Sequence, residues 1–384
     1  MNAGTECAAV EAARALAPAL AETAAAHDRE ASFPFDNIER LRGAGLLGAA
    51  TEQCYGGQEI GLSQALRIVE AVSRAEPSTG LIVAQQYLFH RTARMTTTWP
   101  ASVRERVGVS AVADGALANS FRVEPALGTP LRGGLPETMA RKVPGGWSLS
   151  GHKIYCTGAP GLTWAAIWAR TDEAETRVGT FLVQMPATGL RIEKTWDHMG
   201  MRASGSDDVF LEDVFVPDEY AVDVRPPARW IDRDPAAIAW NGLTFAVIYH
   251  GVAKAARDWL IRFLQERVPS NLGAALATLP RMQEAVGEID ALLQASDALF
   301  ALADRVDAGN TPAAHEIYLA KYTINVNAIA AVEKAVALIG NPALARTNPL
   351  ERHLRDVLCA RIHSPQADTA LVGAGRVALG VAKS

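Results

Sequence analysis

The pattern of hydrophobic residues changes twice along this chain, and this change limits the folds that the chain can adopt. From residue 7 to about 107, apolar residues recur three and four positions apart, as in AVEAARALAPALAETAAA, which is typical of amphipathic helices. From about 115 to 217 the apolar runs are short, as in WAAIWART and VGTFLVQM, and turn residues such as PGG separate them. Such runs favour strands. After residue 235, long helices with apolar stripes return.

This order predicts three domains in one α+β chain. We expect an N-terminal α-helical domain at 1–112, a central β-barrel or β-sandwich domain at 113–225, and a C-terminal antiparallel four-helix bundle at 226–384.

Charge and composition exclude several classes of partner. The net charge of −5 gives no basic surface for nucleic acid or anionic lipid. The first residues, MNAGTECAAV, lack the basic and apolar regions of a signal peptide. We find no run close to the ~20 apolar residues that cross a membrane. The four cysteines are scattered, which argues against a disulfide framework. We expect a cytoplasmic protein with no nucleic-acid or membrane partner.

Three common chemistries find no support in the sequence. No two of the eight histidines have the spacing of a helical metal pair, so we predict no metal site. The G-x-S-x-G elbow of serine hydrolases is missing. The glycines do not form a strand, G-x-G-x-x-G and helix unit for a dinucleotide.

Four motifs stand in a fixed order: VEPALGTP at 123–130, GHKIYCTGAPG at 151–161, MGMRASGSDDVFLEDVFVP at 199–217, and ERHLRDV at 351–357. Each alone is compatible with an ordinary turn, hairpin or helix. Together they resemble the T-E-P-x-x-G-S, N-G-x-K-x-W-I-T, G-x-R-x-S-x-S and R-D motifs of the acyl-CoA dehydrogenase superfamily, over nearly the whole chain. The resemblance implies that superfamily's fold and a bound flavin.

The resemblance also assigns flavin contacts. A flavin ring requires a flat wall and polar groups along its edge. Thr157 corresponds to the family's contact with the N5 edge, and Tyr155 replaces the tryptophan that packs on the ring. Gly128 and Thr129 correspond to the phosphate side, where the family has a serine. Val123 replaces a threonine that donates to the ring, so one family contact is missing.

The family's catalytic glutamate is absent from both of its usual positions. Aligned on the R-D motif, the segment RDVLCARIHSPQ has Ser364 at that position and His363 just before it. Aligned on Gly251, the alternative base position on the first long C-terminal helix is Asn241, and Gly242 replaces a nearby arginine. A hydroxyl or an amide is not basic near neutral pH.

Two histidines instead resemble those of the superfamily's two-component flavin monooxygenases, such as the oxygenases for dibenzothiophene and 4-hydroxyphenylacetate. His363 lies where that branch has a histidine after the R-D helix, and His90 lies where some members have a second one. An imidazole suits oxygen chemistry because it donates or accepts near neutral pH. The ordinary alternatives are a core histidine for His90 and a helix-dipole partner for His363.

The adenosine half of FAD has weak support. The family's R-x-x-F-G turn is reduced to Arg267 without Phe-Gly, and a later glycine-rich loop is reduced to Gly340 and its neighbours. Both remain candidate cofactor contacts, and the flavin is FAD or FMN, used in reduced form. The resemblance also implies a homo-oligomer, a dimer or a homotetramer.

The first hypothesis is therefore a monooxygenase that receives reduced flavin from a separate reductase and uses O₂ on a small organic substrate. Its predicted catalytic residues are His363, His90 and Ser364, and its substrate pocket includes Asn241 and Phe245. The second hypothesis is an FAD-dependent acyl-CoA dehydrogenase with a relocated base, Glu351 or Asp368. The third is a non-catalytic protein with a flavin fold.

Overall fold

The computed structural model describes residues 7–127, 134–230 and 234–381. The N-terminal part is helical, as predicted. Its helices are α1 (Ala8–Glu22), α2 (Ala24–Glu30), α3 (Phe35–Gly43), α4 (Leu62–Ala75), α5 (Pro77–Met95) and α6 (Ala101–Ala113). Helix α5 begins at a proline, and the Glu76 carboxylate accepts from the first free backbone N–H groups, which is a stable helix start.

The central part forms one mixed sheet. Its strands are β1 (Leu117–Phe121), β2 (Met139–Val143), β3 (Gly146–Cys156), β4 (Leu162–Thr171), β5 (Val178–Gln184), β6 (Leu190–Glu193), β7 (Asp207–Pro217) and β8 (Ala221–Arg225). The order is β6-β7-β3-β2-β4-β5-β8, and β1 pairs with β4 in parallel. Trp164 and Trp168 are buried in this domain and belong to its core.

The C-terminal part is helical again: α7 (Pro235–Glu266), α8 (Pro280–Leu299), α9 (Ala301–Asp307), α10 (Ala314–Ile339), α11 (Asn341–Leu344), α12 (Leu350–Leu358) and α13 (Ala367–Leu379). Helix α7 is central, since it packs on α4 and α5 as well as on α8, α10 and α12. A Cβ atom at Gly242 would lie 2.9 Å from Ile317 of α10. The two helices therefore approach closely at Gly242, where no arginine side chain fits.

By length and composition alone, α7 and α10 would be able to cross a membrane. The expectation that no run comes near this length was therefore wrong. The apolar window of α7 is 78% buried inside the protein, as is usual for the core helix of a globular fold, so the finding is weak evidence for a membrane span.

Candidate functional site

An irregularity in β3 turns Tyr155 outward. The pairing of β3 with β7 shifts register between Lys153 and Cys156, and Tyr155 has a positive φ of 58°. A bulge of this kind re-aims one side chain. Tyr155 is consequently 53% exposed, and its ring edge meets Trp196 and His198, at centroid distances of 6.3 and 5.9 Å. These three rings form the aromatic wall of the candidate site.

The threonine after the bulge joins two of the predicted motifs. Thr157 is buried, and its Oγ1 lies 2.9 Å from Ser206 Oγ, which lies 2.7 Å from Ser204 Oγ. The backbone N–H of Gly158 donates to the Ser204 carbonyl at 2.9 Å. The GHKIYCTG and MGMRASGS motifs therefore meet beside the aromatic wall, as expected for parts of one site.

The loop at 196–206 also rests on α12. The Met201 N–H donates to Asp356 Oδ1 at 2.6 Å, and Arg355 donates to the Met199 carbonyl at 2.7 Å. Arg355 and Asp356 are neighbours in the R-D motif, but no ion pair joins them among the described residues. Adjacent helical side chains point in different directions, and Arg355 instead binds Asp28 at 2.6 Å. Burial raises the pKa of Asp356 to about 7.

A buried ion pair supports β3 from behind. Lys153 Nζ lies 2.5 Å from Glu124 Oε1, and the two side chains are 0% and 1% exposed. Glu124 also accepts from Thr138 and from the backbone N–H of Glu137. Sequence reasoning quoted both motifs but missed this pair. A lysine and a glutamate, one in each motif, were the available signal.

His363 lies against α7 in a mostly apolar setting. Its ring stacks on Phe245, at a centroid distance of 4.4 Å and an angle of 14°, and its Nε2 lies 2.5 Å from Tyr249 Oη. Phe245 and Tyr249 are one helical turn apart, so they present one face. Burial, together with the charge of Lys321, lowers the pKa of His363 to about 3. The imidazole is therefore neutral at physiological pH.

A buried lysine holds the backbone around His363. Lys321 of α10 is 1% exposed, and its ammonium donates to the carbonyls of His363 and Pro365, at 2.5 and 2.9 Å. Burial lowers the pKa of Lys321 to about 7. The Ser364 hydroxyl between these carbonyls makes one long contact, 3.5 Å, with Gln366.

The structure therefore brings His363, Ser364 and Phe245 together. Asn241 is half-buried one helical turn before Phe245 on α7, so it extends the same face toward the start of the helix. Sequence reasoning missed Tyr249 and Lys321 in this group.

His90 lies elsewhere, inside the N-terminal domain. It is 4% exposed, and its ring nitrogens lie 3.3 Å from Thr51 Oγ1 and 3.0 Å from Gln86 Nε2. Burial lowers its pKa to about 4. Within the described residues no hydrogen bond or ring contact joins His90 to His363, and the catalytic role of His90 stays a prediction.

Arg267 and Gly340 follow α7 and α10 directly and are exposed. They lie at the end of the bundle opposite to His363, because α10 continues for roughly 27 Å beyond Lys321. Within one chain they meet neither His363 nor Tyr155, and their role stays a prediction. Gly128 and Thr129 lie outside the described residues. Among the described residues there is no group of three or more His, Cys, Asp or Glu that could hold a metal.

Comparison with known proteins decides the family. Residues 5–95, 123–214 and 243–366 match the acyl-CoA dehydrogenase N-terminal, middle and C-terminal domains. YdbM of Bacillus subtilis, whose name carries the words acyl-CoA dehydrogenase, is 32% identical over 362 residues, covering 93% of this chain and 92% of YdbM. The chain belongs to the acyl-CoA dehydrogenase family. The predicted family and fold are confirmed.

Two further relatives of this acyl-CoA dehydrogenase family member carry other names. The L-evernosamine nitrososynthase of a Micromonospora strain is 28% identical over 366 residues, covering 91% of this chain and 84% of that protein. KijD3, solved in complex with FMN and a dTDP-linked amino sugar, has a TM-score of 0.82 at 27% identity, covering 100% and 96% of the two chains.

The residues at the aromatic wall fit a flavin. Tyr155 offers a half-exposed ring for stacking, as a flat apolar cofactor requires. The Thr157 hydroxyl can donate to Ser206 and still accept from the cofactor edge. When bound, a flavin supplies two-electron oxidation and reduction.

Proposed function

We propose that this protein is a reduced-flavin-dependent monooxygenase that uses O₂ on a small organic substrate. One observation carries the proposal: the site holds a neutral, stacked imidazole, His363, at the end of the R-D segment, and both positions for the family's glutamate carry groups without basicity, Ser364 and Asn241.

The reaction balances with one external reductant. Reduced flavin, delivered by a separate reductase, supplies two electrons; one atom of O₂ enters the substrate and the other leaves as water. The neutral His363 can donate one ring proton as a hydrogen bond to the reacting oxygen. Phe245 and Tyr249 cover the imidazole, which keeps bulk water from its face.

The relatives support this direction. The nitrososynthase is named for oxidation of an amino sugar, and KijD3 was solved with FMN. The R-x-x-F-G turn is incomplete here, with Arg267 but without Phe-Gly. This also favours FMN, because FMN lacks the adenosine half that this turn contacts in the family. We include in the proposal that the protein is a homo-oligomer.

Product yield per reduced flavin tests the proposal. Protein with photoreduced FMN or FAD is mixed with oxygen and an amino-sugar substrate, while stopped-flow absorbance and hydrogen peroxide are recorded. We expect an absorbance transient before oxidised flavin appears, and a yield that falls about 100-fold in His363→Ala, the low end for loss of one catalytic group. His315→Ala, at the start of α10, is the control. Flavin oxidation without a transient or product would contradict the proposal.

The similarity to YdbM favours a second candidate, an acyl-CoA dehydrogenase. The suggested relocated bases are poorly placed for it. Glu351 is bound by Arg355 at 2.8 and 3.0 Å, and Asp368 is exposed in the first turn of α13. Anaerobic addition of acyl-CoA to protein with bound FAD decides the matter, since bleaching of the flavin would establish dehydrogenation.

A further inference from the structure

Tyr249 lies at the centre of the His363 environment, and neither the sequence motifs nor the named relatives assign it a role. It is fully buried on α7, and its hydroxyl makes one hydrogen bond within the described residues, to His363 Nε2 at 2.5 Å. Burial raises its pKa well above 10. The hydroxyl therefore keeps its proton at every physiological pH.

Two arrangements of the Tyr249–His363 proton are possible, and their costs differ. If Nε2–H donated to the tyrosine oxygen, the tyrosine proton would have no acceptor among the described residues. A buried donor without an acceptor is costly. If the tyrosine donates to Nε2, both groups are satisfied, and the imidazole proton must sit on Nδ1.

The second arrangement also gives Nδ1 a use. No described group forms a hydrogen bond with Nδ1 of His363. His363 is partly exposed, and its Nδ1 is not one of the fully buried polar atoms without a partner. Nδ1 is therefore accessible to solvent. Lys321 fixes the His363 backbone carbonyl, and Phe245 fixes the plane of the ring. His363 is thus held through its backbone carbonyl, through one face of its ring and through Nε2, while Nδ1 is left without a hydrogen bond among the described residues.

We propose that Tyr249 is a positioning residue that donates to Nε2 of His363 and thereby directs an Nδ1–H donor into the substrate site. The proposal rests on the proposed function for its catalytic consequence, but the tautomer is a property of the protein alone. It is a positioning role, because Tyr249 acts through His363.

The tautomer is measured by ¹⁵N–¹H correlation spectra of protein labelled with ¹⁵N-histidine, without flavin or substrate, with His363→Ala to assign the signal. We expect wild-type His363 to be neutral from pH 6 to 8 and protonated at Nδ1. In Tyr249→Phe the Nδ1–H preference should be lost. Tyr87→Phe is the matched control, since Tyr87 is also fully buried and its hydroxyl makes one hydrogen bond, 2.8 Å to the Leu46 carbonyl.

The catalytic readout separates the inference from the proposed function. We expect Tyr249→Phe to lower product yield per reduced flavin about tenfold, the factor for one buried hydrogen bond, at unchanged substrate KM. An Nε2–H tautomer in the wild type would overturn the inference, whatever the activity. An unchanged yield in a folded Tyr249→Phe with an altered tautomer would overturn its catalytic part. Wild-type protein with Nδ1–H but no oxygenation would contradict only the proposed function.

Discussion

Lys321 is a buried cation with no carboxylate partner among the described residues, and its two acceptors are backbone carbonyls. Burying a charge without an opposite charge is unfavourable, so the lysine loses its proton more readily in the folded chain. Its pKa falls from the ordinary 10.5 to about 7.

This pKa shift predicts a pH dependence of stability. Between pH 7 and 10.5 the unfolded chain binds the lysine proton and the folded chain does not, so the free energy of unfolding rises with pH, by up to about 1.4 kcal/mol per pH unit. The free energy of unfolding of the wild type minus that of Lys321→Met, measured with urea from pH 7 to 9, should therefore increase as pH rises.

The control for this measurement is Lys334→Met, which removes a half-exposed lysine that lies on α10, as Lys321 does, and pairs with Glu288 of α8. Its difference from wild type should stay flat over the same range, because this lysine is half-exposed and paired with a carboxylate. A flat difference for Lys321→Met as well would show that this lysine stays charged when buried.

Residue contacts of this kind are where sequence reasoning reached its limit. The R-D motif gave the position of His363, but its partners Tyr249 and Lys321 are 114 and 42 residues away along the chain. A tyrosine and a lysine on apolar helices look like core and surface residues in a sequence. Only the packing of α7 and α10 against the segment after α12 brings Tyr249 and Lys321 to His363.

At the scale of elements, β3 presents an exposed ring of the candidate site on one side and a buried ion pair on the other. The bulge turns Tyr155 outward, while Lys153 two residues earlier points into the core and binds Glu124. The strand itself was predicted from its alternating pattern. The bulge was not, because it depends on the register with β7.

The buried pair behind β3 gives a prediction about stability. Lys153→Met would leave the Glu124 carboxylate buried without its cation, which costs about 3–5 kcal/mol. Thermal and urea unfolding should show this loss, and the added substitution Glu124→Gln should recover part of it because no charge then remains buried.

Lys334→Met serves again as the comparison, since loss of an exposed pair costs less than about 1 kcal/mol. If Lys153→Met were no more harmful than Lys334→Met, the pair would not stabilise β3. Failure of Glu124→Gln to restore stability would instead point to lost packing of the lysine side chain.

At the scale of the whole molecule, the three domains meet around α12. Arg355 binds Asp28 of the N-terminal domain and the Met199 carbonyl of the β domain, and it binds Glu351 within its own helix. The order of the domains was predictable from periodicity. This junction was not, because its members come from three distant segments.

The junction predicts that loss of one guanidinium loosens two domains together. Arg355→Met removes the cation between two carboxylates, Asp28 and Glu351, which lie mostly out of solvent at 15% side-chain exposure each. Unpaired carboxylates repel one another there. We expect faster hydrogen exchange both at 24–30 and at 196–206.

Arg257→Met is the control, because Arg257 binds Asp290 with two hydrogen bonds, within the C-terminal domain alone. Exchange that rises only near residue 355 would mean that each domain holds its own loop. A joint rise would show that α12 transmits order between the aromatic wall and the segment that carries His363.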